Sequence, residues 1–422
     1  LKLYYTIGDQ GANQFANACN EIRSQYLPTS VGDYSDYQGK ILRLELDGSI
    51  PSTNPILDGF RTHVYTYGHR NAQGIIFGSD GKLYSSEHGA KVDDELNLIT
   101  AGKNYGWPQI AGYYDNLSYQ YCNWSSSGSC NPNDFSDHNC ATGVTAIPEF
   151  TSGQPTDFQE PIGTYNSTTG IDPAGGWLTW PTVAPSSIDI YEAGLIPNWD
   201  KSLLVTTLKR GTLFRTKLNA MADGLESQVY EEFHSSNDRY RDVAMDPDGV
   251  TIYLVTDNTG GTSGPSGTSG VTIQNPGVII KIQYTGTLAT NTYYADTDND
   301  GYGDPLNSTT GTTPPTGYVA DNTDCDDTDD TINPDTIWYA DTDGDGYGDN
   351  SDTLTQCAQP VDYVLDNTDC DDTDDTINPD TIWYADTDGD GYGDNSDTLT
   401  QCAQPADYVL DNTDCDDKYH NL

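Results

Sequence analysis

Gly74-Ile75-Ile76-Phe77-Gly78-Ser79-Asp80-Gly81-Lys82-Leu83-Tyr84 reads as a strand, a tight turn and a second strand. An Asp-Gly pair between runs of β-branched and aromatic residues is a strong local hairpin signal. A looser copy returns as Asp246-Pro247-Asp248-Gly249-Val250-Thr251-Ile252-Tyr253. A hairpin that recurs along the chain favours a propeller, whose blades are repeated antiparallel sheets. The surrounding sequence fits. Leu3–Ile7 runs into Gly8-Asp9, and KILRLEL at 40–46 ends at Asp47-Gly48. Ser202–Thr207, Gly211–Leu218, Val250–Val255 and Val278–Tyr284 continue the series. Few stretches sustain a helical period. The expectation is an all-β propeller over residues 1–285, with a loop-like region at 116–175, a Gly/Ser/Thr-rich loop at 258–275 and a linker at 286–292.

Composition divides the chain at the same place. The net charge over 422 residues is −47, and residues 293–422 hold 34 acidic residues against one base, Lys418. Such a surface repels nucleic acid and attracts cations. No apolar run approaches the ~18 residues of a membrane span. Nine cysteines, at 19, 122, 130, 140, 325, 357, 370, 402 and 415, form no C-x-x-C motif. Spaced cysteines in this setting point to an oxidising compartment, so a secreted, periplasmic or cell-surface location is expected. The first residue is Leu1, inside a strand pattern, so the N-terminus is read as missing and the lack of a leader carries no weight.

From Tyr293 a 45-residue repeat begins. Tyr293-Tyr294-Ala295-Asp296 returns as Trp338-Tyr339-Ala340-Asp341 and Trp383-Tyr384-Ala385-Asp386. Each copy carries alternating aspartates around a glycine. Copy two offers Asp341, Asp343, Asp345, Asp349 and Asp352 at positions 1, 3, 5, 9 and 12; copy three offers Asp386, Asp388, Asp390, Asp394 and Asp397. Copy one offers Asp296, Asp298, Asp300 and Asp304, with Asn307 twelfth. This spacing suits Ca2+, a hard cation that takes six to eight oxygens from a tightly wound loop with glycine at its sixth place. A second acidic cluster (Asp366, Asp369, Asp371, Asp372) would add ligands. Cys357 with Cys370 and Cys402 with Cys415 are spaced alike and could close loops, which would leave Cys325 odd because Thr312 stands where its partner would be. The stretch resembles the thrombospondin-type-3-like calcium repeats of bacterial surface and secreted proteins. A merely solvated acidic linker is the alternative.

Polar clusters punctuate residues 1–284 at strand ends: TIGDQG (6–11), GHRNAQG (68–74), SEHGAKVDDE (86–95), NYGWP (104–108), WPTVAPSS (180–187), LKRG (208–211) and NDRYRD (237–242). Bases from separate strand ends could converge on a polyanion, and tryptophans could stack on a flat ring. Taken singly, each has an ordinary reading as a surface pair, turn residue or packed histidine. In this order they resemble soluble quinoprotein glucose dehydrogenase and its aldose/sorbosone dehydrogenase relatives. The resemblance implies a six-bladed propeller, here lacking its early blades, that holds pyrroloquinoline quinone (PQQ) and Ca2+ on its axis. It implies that Arg70 and Asn71 address the quinone, and that Lys209, Arg239 and Arg241 meet its carboxylates. Thr182 would be a further contact, with Trp177 and Trp180 as a stacking wall. Gly89 and Ala90 would give carbonyls to the catalytic calcium, and Glu95, Tyr105, Ala111, Tyr113 and Asp115 would form a structural calcium site. Gln14 would touch the sugar, and Asp9 would orient a base histidine expected upstream of Leu1. Trp180 would also bound the substrate. The implied activity is oxidation of an aldose at its anomeric hydroxyl to a lactone, with electrons leaving to an external acceptor. A non-catalytic extracellular propeller and a calcium-dependent adhesion protein remain the other classes.

Overall fold

A computed structural model describes residues 1–117, 120–126, 140, 142–151, 153–155, 157–165, 180–259 and 272–415. Trp177, Cys130, His138 and His420 lie outside the described residues. The chain is all-β and divides into two compact units, Leu1–Ala289 and Thr290–Leu422. The division falls within the segment read as a linker. No described helix is long and apolar enough to cross a membrane.

Among the described residues, the first unit holds four blade-like antiparallel sheets of three or four strands. In the first, β1 (Leu3–Ile7) pairs with β2 (Lys40–Leu44); a short hairpin of β3 (Ile56–Leu57) and β4 (Phe60–Arg61) follows, and β5 (Val64–Tyr67) completes the sheet. The second sheet is β6 (Ala72–Phe77), β7 (Leu83–Glu87), β8 (Asp94–Ile99) and, after a separate ribbon of β9 (Gln120–Asn123) and β10 (Thr145–Pro148), β11 (Gly163–Tyr165). The third is β12 (Pro185–Tyr191), β13 (Ser202–Thr207), β14 (Thr212–Lys217) and β15 (Glu231–Ser235); the fourth is β16 (Tyr240–Met245), β17 (Thr251–Thr256) and β18 (Ile279–Gln283). Both hairpins singled out in the sequence are present: β6–β7 turns at 78–82, and β16–β17 turns at 246–250.

Strand alternation explains how the sheets stack. Successive side chains point to opposite faces, so a strand buried on both faces feeds two cores. In β13, Leu203 and Val205 enter a core with Tyr84, Leu96, Ile188 and Phe214, between the second and third sheets. Leu204 enters the next core, with Leu213, Val243, Ile252 and Leu254, between the third and fourth. Ile41, Leu83, Ile99 and Tyr105 join the first sheet to the second. Strand β6 lies against β12, and β12 against β16.

Register brings the chemistry to one end of the stack. Ile7 faces Lys40 and Lys40 faces Tyr67; Ala72 faces Glu87; Pro185 faces Thr207; Tyr240 faces Thr256. The end of β1, the start of β6, the end of β7, the β13–β14 turn and the start of β16 therefore adjoin. Hydrogen bonds between sheets close this end: Asp9 N donates to Arg70 O (2.7 Å), His88 Nε2 to Pro185 O (2.8 Å) and Ser186 Oγ to Tyr240 O (2.5 Å).

The second unit repeats a three-stranded sheet. Its members are β19 (Asn291–Ala295), β20 (Ser308–Gly311) and β21 (Tyr318–Val319); β22 (Ile337–Ala340), β23 (Asp349–Thr355) and β24 (Tyr363–Val364); and β25 (Ile382–Ala385), β26 (Asp394–Thr400) and β27 (Tyr408–Val409). Trp338 and Trp383 anchor copies two and three, both buried and donating from Nε1 to Gln356 O and Gln401 O at 2.8 Å. Gly346, at the sixth loop position, has φ of 94°, a conformation an L side chain resists.

The disulfides correct one expectation. Cys325 bonds Cys357 and Cys370 bonds Cys402, each across 32 residues, and Cys415 is the free cysteine among the described residues. The bridges therefore join each copy to the next and do not close loops within a copy. Both spacings recur in the sequence, so spacing alone left the pairing open. Cys122 bonds Cys140, and Cys19 is also disulfide-bonded.

Candidate active site

A hollow of about 350 Å³ opens at the shared end, lined by Gly8, Asp9, Gln10, Gly11, Gln14, Arg70, Asn71 and His88. Its base is built on Glu87, the last residue of β7, which is 2% exposed. One carboxylate oxygen accepts the backbone N–H groups of Arg70 and Asn71, the second at 3.0 Å, and the other oxygen faces His69 Nδ1 at 2.8 Å. His69 Nε2 meets Thr66 Oγ1 at 2.9 Å, and the ring stacks on Tyr105. His69 is thus a buried brace, and Glu87 fixes the turn that presents Arg70 and Asn71.

Arg70 reaches Gln14 Oε1 and His88 O at 3.4 Å each and lies over the Trp107 ring, while its buried Nε has no hydrogen-bond partner. Asp9 accepts Gly11 N (2.9 Å) and Trp107 Nε1 (3.0 Å). Burial raises its pKa, and Arg70 opposes that rise. His88 is held to about 3 by burial, followed by the fields of Arg70, Arg241 and Arg239, so its ring is neutral. Guanidiniums from the second and fourth sheets thus lie near enough to His88 to act on it.

The remaining bases come from the next sheets. Lys209, after β13, donates to Thr182 Oγ1 at 2.9 Å and to Trp180 O; burial lowers its pKa to about 8. Lys91 Nζ lies 5.3 Å over the Trp180 ring. Arg239 and Arg241 share Asp257, with Nε–O distances of 2.8 and 2.5 Å. Asp257 thus draws the two guanidiniums to one place beside β16.

Asp94 ties the second sheet to the third. It accepts Gly89 N (2.7 Å), Val183 N (2.5 Å) and Ala184 N (2.9 Å), and burial raises its pKa to about 6 against those bonds. It thereby holds Ala184 at a left-handed φ of 57°. The Gly89-Ala90 loop is wound tightly: a Cβ at Gly89 would sit 2.1 Å from Val92 O.

A second acidic centre lies beside this loop. Glu95 accepts Gly112 N (2.8 Å) and Asn97 Nδ2 (3.0 Å); burial, then Glu87, raises its pKa. Glu149 accepts Ala111 N (3.1 Å) and Asn116 N (2.7 Å) and is raised to about 8 by burial, with Asp115 and Asp93 adding to the rise. Glu95, Ala111, Tyr113 and Asp115 thus belong to one neighbourhood. The Tyr105 hydroxyl is engaged elsewhere, between Thr100 N and Leu98 O. Glu149, Glu87, Asp94, Trp107 and Asp257 were not picked out from sequence as site residues.

In the second unit the structure gathers positions 1, 3 and 5 of each loop: Asp296, Asp298 and Asp300; Asp341, Asp343 and Asp345; Asp386, Asp388 and Asp390. Asp349 and Asp394 instead begin strands and cap Ser351 N and Ser396 N at 2.8 Å, and Asp304 caps Leu306 N. Asp352 and Asp397 stand on those strands beside Tyr363 and Tyr408.

The model of the glucose/sorbosone dehydrogenase family matches residues 2–134 and 147–263. The chain belongs to the glucose/sorbosone dehydrogenase family. Quinoprotein glucose dehydrogenase B of Acinetobacter calcoaceticus is 43% identical over 305 residues, covering 67% of this chain and 62% of that protein. Aldose sugar dehydrogenase YliI of Escherichia coli is 27% identical over 232 residues, covering 54% of this chain and 51% of that protein. Among solved structures, the PQQ-bound aldose sugar dehydrogenase from Streptomyces coelicolor aligns with a TM-score of 0.41 and 25% identity, covering 67% of this chain and 58% of that one. This family member therefore spans between half and two thirds of these relatives.

Proposed function

We propose that the first unit is the cofactor-binding part of a PQQ- and calcium-dependent sugar dehydrogenase. In this reading an aldose loses a hydride and a proton from its anomeric CH–OH to give a lactone, and the two electrons pass finally to an external acceptor. The observation that carries the reading is the hollow beside Arg70: a guanidinium with an unpartnered buried Nε, next to Asp9, Gln14, Asn71 and His88. The donor set fits a flat polyanion, because Lys209, Arg239 and Arg241 bring cations from two further sheets to the same end. When bound, PQQ with its calcium supplies a two-electron acceptor polarised by a Lewis acid.

The chain's own groups bind and orient. Lys209, Arg239 and Arg241 would hold cofactor carboxylates, with Thr182 and Trp180 as neighbours. Glu87 fixes the turn that carries Arg70 and Asn71, which would address the quinone. The Gly89-Ala90 carbonyls would serve calcium, and Asp94 shapes that loop. Gln14 and Asp9 line the side where sugar would enter, and Asp9, fixed by Gly11 and Trp107, is placed to orient a base. Around Glu95, Asp115 and the newly found Glu149, hard oxygen donors suit a structural calcium. In the tail, Asp296, Asp298 and Asp300 and their counterparts would take further calcium. The disulfides support a secreted, periplasmic or cell-surface setting.

The test is a PQQ titration of the chain in millimolar calcium, followed by absorbance. Saturable binding that is lost in Arg70→Ala is expected. If PQQ fails to bind, the propeller is not a quinoprotein, and the non-catalytic reading takes its place.

A further inference from the structure

Each tail repeat carries a second acidic segment, Asn322-Thr323-Asp324-Cys325-Asp326-Asp327 in copy one. It folds back onto its own loop. Asp324 N donates to Gly303 O (3.2 Å), and Thr297 donates to Asp327 from both N (2.7 Å) and Oγ1 (2.6 Å). Copy two repeats the contacts: Asp369 N to Gly348 O (3.2 Å), and Thr342 N and Oγ1 to Asp372 (2.7 and 2.6 Å).

In copy one, carboxylate oxygens of Asp298, Asp324 and Asp327 gather within 4.8 Å of one another. Asp324 is only 8% exposed, and its Oδ2, like Asp298 Oδ2 and Asp300 Oδ2, is buried without a hydrogen-bond partner. Asp343 and Asp369 show the same orphaned oxygens in copy two. Buried carboxylate oxygens without donors in such a cluster suit a cation, since leaving them bare costs several kcal/mol in principle. The residue after Asp324 is Cys325, bonded to Cys357 of copy two; the residue after Asp369 is Cys370, bonded to Cys402 of copy three.

We propose that in copies one and two the cation is held between the alternating-aspartate loop and the Asp-Cys-Asp-Asp segment of the same repeat, and that the disulfide to the next repeat locks the second half of this cage, so that calcium affinity and disulfide stability are coupled. The proposal rests on the calcium reading of the tail and adds the second half of the site and its redox dependence. Because linkage is reciprocal, calcium protects the bridge as much as the bridge favours calcium.

The test uses the full chain. Calorimetry with calcium alone first establishes binding. Dithiothreitol then reduces each bridge, which takes up two electrons and two protons to give two thiols while the reagent closes to its cyclic disulfide. Alkylation and peptide mass spectrometry follow each cysteine separately. At a fixed ratio of reduced to oxidised dithiothreitol, calcium is expected to lower the equilibrium ratio of reduced to oxidised Cys325–Cys357 and Cys370–Cys402 by about tenfold, within the range typical of coupled sites. Asp324→Asn keeps every cysteine and should abolish protection of Cys325–Cys357 while leaving Cys370–Cys402 protected. Calcium heat without protection overturns the coupling and leaves the calcium reading standing. Loss of protection at both bridges in Asp324→Asn overturns the local cage. Absence of calcium heat removes the calcium reading and the proposal with it.

Discussion

Glu87→Ala would test how the site is built. The carboxylate is buried and serves the N–H groups of Arg70 and Asn71 and the ring of His69. Alanine strands these three donors. Each unsatisfied buried donor costs about 1–3 kcal/mol, and water entering the vacated space recovers part, so a net loss of roughly 3–5 kcal/mol is expected. At roughly 2–4 °C per kcal/mol for a domain of this size, Tm should fall by about 6–20 °C. Glu87→Gln is the control. Its amide oxygen can keep both backbone donors, and its NH2 can donate to His69 if the ring proton moves to Nε2 and the Thr66 hydroxyl turns to accept it. That variant should lose only about 1 kcal/mol. The assay is thermal unfolding followed by near-ultraviolet circular dichroism in millimolar calcium. An alanine variant as stable as the parent, or a glutamine variant as damaged as the alanine one, would refute Glu87 as the brace.

Arg239→Ala and Arg241→Ala should each weaken PQQ tens-fold or more, since truncating one member of a shielded ion pair costs roughly 2–5 kcal/mol; unchanged affinity in both would sink the carboxylate assignment. Lys209 gives a pH test of two opposite signs. Its folded pKa of about 8 lies below the ordinary 10.5, so cofactor-free stability should rise from pH 8 toward 10.5, where the unfolded chain binds more protons, while PQQ affinity should fall above pH 8 as the cation is lost. Stability and affinity that move together across this window would contradict the assignment. The tail, with 34 acids and one base, should expand in chelator and compact at roughly 0.1–1 mM calcium, read by small-angle scattering of the full chain; identical profiles in both would argue against calcium sites.

The order of the motifs and the recurring hairpin made the all-β first unit and most of its polar ends legible, because strands announce themselves through alternation and Asp-Gly turns. The braces were harder to see. Asp93, Asp94 and Glu95 read as one acidic run, and only the fold separates Asp94, which binds three N–H groups, from Glu95, which faces Gly112. Asp257 lies 16 residues beyond Arg241, and the bulged register of β16 on β17 is what sets it opposite. A hairpin register drawn from the Asp248-Gly249 turn would have pointed there. Glu149 comes from a short 3-10 turn far along the chain and carries no local signal. In the tail, the loop aspartates followed the expected spacing at positions 1, 3 and 5, but the later ones fell on strands that spacing alone does not reveal.

The charges at the shared end of the first unit's sheets divide into two kinds, and the division has consequences. Asp9, Glu87 and Asp94 accept backbone or indole N–H groups, so they set the shape of the site. Arg239 and Arg241 both pair with Asp257, and Arg70 keeps an unpartnered Nε. Substituting a shape-setting carboxylate should therefore be read mainly in unfolding, with cofactor affinity following as the loop relaxes. Substituting a guanidinium should be read mainly in affinity, with Tm nearly unmoved or raised, because a cofactor-free cluster of like charges repels itself. Asp257 is the exception that tests the distinction. Asp257→Asn should lower stability, since it leaves two guanidiniums facing each other, yet it should tighten a polyanionic ligand by removing its internal competitor. Weaker PQQ binding in Asp257→Asn would mean that the carboxylate positions the guanidiniums more than it competes for them.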